Sequence, residues 1–170
     1  MIKRLAERDL KTRFGIFREI LYYDGKRESI AIVMGDVSDN EDVLCRIHSH
    51  CIGAHVFNSI ECDCREQMEA AQVQIQQAGR GVIIWLDQEG KGNGHLALLQ
   101  NIPFKKEFGQ AEAYEKAGFK ADARDYGAAV EILNDLSVKS IVLLANDLGK
   151  AEELKRNGLT VTGLLKLDLE

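Results

Sequence analysis

Apolar positions fall into two rhythms along this chain, and the change between them sets the expected architecture. In the first third, short apolar runs are separated by turn-rich polar stretches. Residues 13–23 and 28–37 read as strands, the second carrying Ile30-Ala31-Ile32-Val33-Met34, with Gly25 and the segment Ser38 to Asp42 as turns. Residues 43–50 form a third strand with the apolar alternation Val43, Cys45 and Ile47; it delivers Arg46, His48 and His50 next to Cys51. From residue 65 the period lengthens. Met68, Ala71, Ile75 and Ala78 recur at helical spacing over 65–78, and Gly79 supplies a stop. Residues 81–86 are a short apolar strand, followed by the loop 88–95 and a helix starting near Leu96. A helix over 123–136 places Ala129, Ile132, Leu133 and Leu136 on one face. A buried strand at 140–145, a short helix over 150–156 and a strand over 159–167 complete the pattern. Antiparallel strands followed by alternating helices and strands predict a mixed α/β (α+β) fold, with a mixed β-sheet and flanking helices.

The 170 residues suit a single domain with a real core. No apolar run is long enough to span a bilayer, and the basic N-terminus lacks the apolar stretch of a secretory signal, so a cytoplasmic location without a membrane partner is expected. The net charge of −5 argues against a nucleic-acid polymer as partner. It leaves room for a small phosphorylated ligand in a local basic pocket.

Three of the four cysteines, Cys51, Cys62 and Cys64, fall within fourteen residues as C-x10-C-x-C. Buried thiols can act as small hydrophobes, and Cys45, inside the apolar alternation, reads as core. The other three could instead hold a catalytic zinc, which keeps a corner for water where a structural site closes with four protein ligands. Such a site generates a nucleophile for hydrolysis or deamination-like chemistry. Spacing alone leaves both readings open.

Other segments carry similar alternatives. The glycine-rich loop from Gln88 to Gly94 is a surface loop or a place where backbone N–H groups approach a phosphate, with Lys91 adding charge. Asp122 suits an N-cap for the helix at 123, and Arg124 in its first turn opposes the helix dipole, as expected of a residue facing an anionic ligand. Asn146 and Lys150 follow a buried strand, at a junction that can hold phosphate.

Taken together, these motifs resemble GTP cyclohydrolase II, the enzyme family that opens riboflavin synthesis, over nearly the whole chain. The family pattern R-[VI]-H-S-E-C, ten residues, then C-D-C is matched by Arg46-Ile47-His48-Ser49-His50-Cys51 and Cys62-Asp63-Cys64. Its Q-E-G-R is matched by Gln88-Glu89-Gly90-Lys91, and its A-D-x-R-D-[FY] by Ala121-Asp122-Ala123-Arg124-Asp125-Tyr126. The resemblance implies zinc on Cys51, Cys62 and Cys64, hydrolytic opening of the imidazole ring of a purine nucleotide, most simply GTP, and loss of formate. It implies attack on the α-phosphorus by Arg124, with Asp122 as its proton acceptor, and release of pyrophosphate. Arg46, Gln67, Glu89 and Lys150 match nucleotide-contacting positions, and His48, Ser49, His50, Gly90 and Lys91 join them as candidate substrate contacts. Magnesium on the substrate phosphates and a homodimer are further implications.

The match is uneven. His50 replaces a glutamate, Arg65 a glycine, Lys91 an arginine, His95 a leucine and Ala145 a threonine, and a family tyrosine has no counterpart in 96–104. Metal ligands and the Asp–Arg pair match better than base- and phosphate-reading positions. The same chemistry on another base, including uracil-type ring opening, or incomplete processing of GTP are therefore alternatives, as is a catalytically silent nucleotide-binding domain.

Overall fold

The structure, a computed structural model, describes residues 1–146 and 148–169. Its centre is a seven-stranded mixed sheet in the order β1-β2-β3-β5-β4-β6-β7. The strands are β1 (Lys3–Thr12), β2 (Gly15–Tyr23), β3 (Glu28–Met34), β4 (Val43–Ser49), β5 (Gly81–Leu86), β6 (Ile141–Leu144) and β7 (Val161–Leu165). Strands β1, β2, β3 and β5 pair antiparallel, whereas β5, β4, β6 and β7 run parallel. The sequence therefore predicts the class correctly, the parallel half arising where strands alternate with helices.

The helices are α1 (Ile52–His55), α2 (Cys64–Ala78), α3 (His95–Gln100), α4 (Gln110–Lys116), α5 (Gly127–Asp135) and α6 (Leu148–Arg156), with a 3₁₀ turn at Ile102–Lys106. They cover both faces of the sheet. On one, Ile20, Val33, Cys45, Ile47 and Ile84 pack with Ala129, Ile132 and Leu133 of α5 and Leu154 of α6. On the other, Phe17, Ile83 and Leu144 pack with Ala70, Ala71 and Ile75 of α2. The period-two alternation of β4 divides its residues between these layers. Cys45 and Ile47 enter the first core, as the sequence indicates for Cys45, while Arg46 turns to the α2 side and meets Gln67. Among the described residues no helix is long and apolar enough to cross a membrane.

Two sequence expectations are corrected here. The N-terminal strand β1 is not anticipated, because its residues are mostly exposed, more than half of them are charged, and they show no apolar rhythm. Backbone pairing with β2 defines it, and its charges protect the free edge. The helix expected over 123–136 begins only at Gly127, so Asp122 is not its N-cap and Arg124 is not in its first turn. Asp125 does the local work instead, its Oδ1 accepting the Gly127 N–H at 2.7 Å. The reason is tertiary: the backbone of Ala123 and Asp125 is already committed to Lys91 and Gln88.

Candidate functional site

Parallel β4, β5 and β6 end on the same side of the sheet, and the chain leaving each strand brings the candidate groups. After β4 comes Cys51, after β5 the loop 87–95, and after β6 Asn146 and Lys150. Ligands of open α/β sheets gather beyond the carboxyl ends of strands, where connections diverge to opposite faces.

Cys51 precedes α1, Cys62 lies in the following loop, and Cys64 opens α2. Their sulfurs all lie within 4.8 Å of one another, with Cys51 Sγ and Cys62 Sγ 3.6 Å apart. Tetrahedral zinc with Zn–S bonds near 2.3 Å requires S···S separations of about 3.8 Å. The donor set thus fits a metal ion. Burial, and then the neighbouring sulfurs, push the thiols of Cys51 and Cys64 above their ordinary range, opposing ionisation together unless a cation compensates. Arg65 braces this loop by donating to the carbonyls of Ala54 (3.0 Å) and His55 (2.9 Å).

Beside Cys64 opens a pocket of about 240 Å³ lined by Arg46, His48, Ser49, Gln67, Arg124 and Lys150 among others. Arg46 is only 6% exposed, yet its partners are neutral: the Leu144 carbonyl (3.0 Å), Gln67 Oε1 (2.6 Å) and His48 Nδ1 (3.4 Å). Gln67 is held by its own donation to Asp63 Oδ1 at 2.8 Å. Burial lowers the basicity of Arg46, but a guanidinium stays charged at any ordinary pH. Lys150 Nζ donates to the Ile47 carbonyl at 2.9 Å. The buried Tyr126 ring lies 5.7 Å from Lys150 Nζ and 6.0 Å from Arg124 Cζ, so one aromatic ring supports two cations. A buried cation with neutral partners and two further cations on the same pocket give it the chemistry to hold an anion.

Arg124 forks onto Asp122, with Nε 2.9 Å from Oδ1 and Nη2 2.5 Å from Oδ2. Burial works to raise the Asp122 carboxyl, but hydrogen bonds from the Arg124 side chain and N–H, with the positive charge beside it, hold it below the ordinary carboxylate range. The pair with Asp122 raises Arg124 in turn.

His48, 2% exposed, stacks near His55 with Nε2 atoms 3.2 Å apart. Burial, then the charge of Arg46, pushes its pKa down to about 2. Folded His48 is neutral while the unfolded residue protonates near 6.5, so its contribution is intact above that pH and is lost on acidification. Stability of metal-free protein is expected to fall by up to about 1.4 kcal/mol per pH unit below 6.5 from this residue. Urea denaturation at several pH values should give a shallower slope for His48→Gln; equal slopes would contradict this assignment.

Not every predicted contact reaches the pocket. His50 turns away, with its ring 5.2 Å from Trp85 and its Nδ1 3.4 Å from Asp87 Oδ1. Glu89 lies beneath the metal loop: Oε1 accepts the Ile52 N–H at 3.0 Å and Oε2 meets His95 Nδ1 at 2.9 Å. Gly90 and Lys91 shape the loop, both at positive φ (61° and 52°). Gly92 has φ +82°, and a Cβ there would stand 2.5 Å from the Ala123 carbonyl. Gly92→Ala is therefore expected to cost about 1–3 kcal/mol, visible as a lowered urea midpoint; an unchanged midpoint would contradict the packing. Gln88, which the sequence places in the Q-E-G-R match without a role of its own, joins this loop to Asp125 through its side chain.

The family model described as GTP cyclohydrolase II matches residues 3–166, and the chain belongs to that family. It is similar to the riboflavin biosynthesis protein RibBA of Bacillus cereus, 42% identical over 172 residues, covering 99% of this chain and 43% of that protein. RibBA of Chlorobium phaeovibrioides is 38% identical over 173 residues, covering 100% of this chain and 42% of its own. The chain thus spans less than half the length of these relatives. Among solved structures, RibBX, a two domain 3,4-dihydroxy-2-butanone 4-phosphate synthase from A. baumannii, shares the fold with a TM-score of 0.56 at 18% identity, covering 99% of this chain and 40% of that one.

Proposed function

We propose that this chain is a zinc-dependent hydrolase that opens the imidazole ring of a purine nucleotide, GTP in the first instance, releasing formate and pyrophosphate. The observation that carries the reading is one pocket lined by Cys64 of the three-thiol metal candidate, by Arg124 of the Asp122–Arg124 pair, and by Arg46 and Lys150. Zinc held by Cys51, Cys62 and Cys64 would supply Lewis acidity for the hydrolysis.

The chain's own residues account for the remaining work. Arg46 and Lys150 bind the triphosphate, with magnesium neutralising it further. Gln67, aligned by Arg46 and Asp63, orients the nucleotide beside Cys64. Arg124 is a cation at rest and a poor nucleophile. As its nitrogen bonds the α-phosphorus, the guanidinium proton passes to Asp122, and the bond to the bridging oxygen breaks to free pyrophosphate; water later cleaves the N–P bond. Residues 1–170 would form one such catalytic domain, cytoplasmic and homodimeric as its family resemblance suggests.

One observation favours a second reading, the same chemistry on another base or stopped early. Both oxygens of Glu89, a candidate nucleotide contact, are engaged by Ile52 and His95. Mass spectrometry of zinc-loaded protein with magnesium and a panel of purine and pyrimidine nucleotides separates the readings. Formate and pyrophosphate from GTP support the first; a product one water heavier, from GTP or another nucleotide, supports the second. No turnover of any nucleotide by zinc-loaded protein would contradict both and leave a binding role.

A further inference from the structure

The functional reading assigns roles to Arg124 and Asp122 but leaves unexplained what aims Arg124 into the pocket. It lies outside helix α5, in a segment without regular hydrogen bonding, and its bonds to Asp122 are local ones that cannot fix the segment in space. The fixing contacts come from the loop after β5. Gln88, 5% exposed, clamps Asp125 in both directions: Nε2 donates to the Asp125 carbonyl at 2.8 Å, and Oε1 accepts the Asp125 N–H at 2.5 Å. On the other flank of Arg124, the Ala123 N–H donates to the Lys91 carbonyl at 2.8 Å. Asn93 ties the segment further back, donating to the Lys120 carbonyl at 2.9 Å and accepting the Lys120 N–H at 3.3 Å. Both neighbours of Arg124 are thereby pinned to one loop. The next residue in that loop, Glu89, binds the Ile52 N–H beside Cys51.

We infer that Gln88 is a positioning residue for Arg124: its side-chain amide substitutes for backbone pairing and holds residues 123–125 so that Arg124 meets the pocket that Cys64 borders. A primary amide suits this role because it offers a donor and an acceptor side by side, matching the N–H and C=O of one residue. Alanine offers neither. The kinetic part of this inference rests on the proposed function; the structural part does not.

The test uses the zinc-loaded 170-residue chain, with Gln88→Ala compared to the unaltered chain. Amide hydrogen exchange is expected to accelerate over 120–127 and to remain unchanged in α2 and β4, with zinc content preserved. With GTP and magnesium, kcat for pyrophosphate release is expected to fall about 100-fold, the order of loss that a misplacement of 1 Å causes, while KM stays within about twofold. A merely structural role would not confine the loss to kcat. In an Arg124→Lys background the further loss from Gln88→Ala should shrink below about threefold, since a residue acting through Arg124 cannot add to its loss. Unchanged exchange over 120–127 would overturn the inference, whatever the activity. Faster exchange with unchanged kcat would overturn it as well. If the unaltered chain released no pyrophosphate from GTP, the proposed function would fail, and exchange alone would decide whether Gln88 holds the segment.

Discussion

Cys62→Ser is expected to remove bound zinc, leaving less than about a tenth of an equivalent per chain, and with it ring opening. A neutral hydroxyl does not replace a thiolate as ligand, and the two remaining sulfurs form an incomplete set. Loss of formate release should be on the order of a thousandfold or more, because enzymes of this kind act on barriers lowered by many powers of ten. Cys62 is exposed, so the substitution should change the stability of metal-free protein by less than about 0.5 kcal/mol. Metal analysis by plasma emission, beside a formate assay and a urea titration, distinguishes a lost ligand from a damaged fold. Retained turnover by a zinc-free variant would show that the thiol cluster is not the reactive centre.

For Arg124→Ala the expected result is complementary. Zinc should remain at one equivalent, because the Arg124 guanidinium forks onto Asp122 and is not one of the three thiol donors, whereas pyrophosphate release should fall by about a thousandfold. Asp122, already half in solvent, would lose the fork that holds its carboxyl low and return toward its ordinary value of about 3.9. The linkage follows in sign. The contribution of the pair is present above that value and fades as pH falls through the lowered folded one, so the variant should lack this acid-dependent component. Carboxyl titration by NMR together with a pyrophosphate assay checks both parts; undiminished pyrophosphate release would remove Arg124 from the chemistry.

The parts of this molecule that were legible in sequence share a physical cause. Elements whose apolar residues must reach a core wrote that need into their spacing, as in β4, α2 and β5. The thiol cluster was legible because three candidate ligands for one ion lie on one short stretch. Strand β1 was not, since an edge strand with exposed charges leaves no apolar rhythm. The cap assigned to Asp122 failed because hydrogen bonds from Gln88 and Lys91, distant in sequence, outweigh local helix propensity. His50 was placed in the pocket by its position beside Cys51, but its ring instead rests near Trp85 on the neighbouring strand.

Opening of a purine imidazole ring is proposed to depend on metal held by the three thiols. The most direct measurement supplies GTP labelled with ¹³C at C8 to zinc-loaded and to metal-stripped protein, and follows the label by NMR. Labelled formate is expected from the zinc-loaded protein, none from the stripped protein, and recovery when zinc is restored. Label remaining in an intact guanine ring under all three conditions would contradict the proposal.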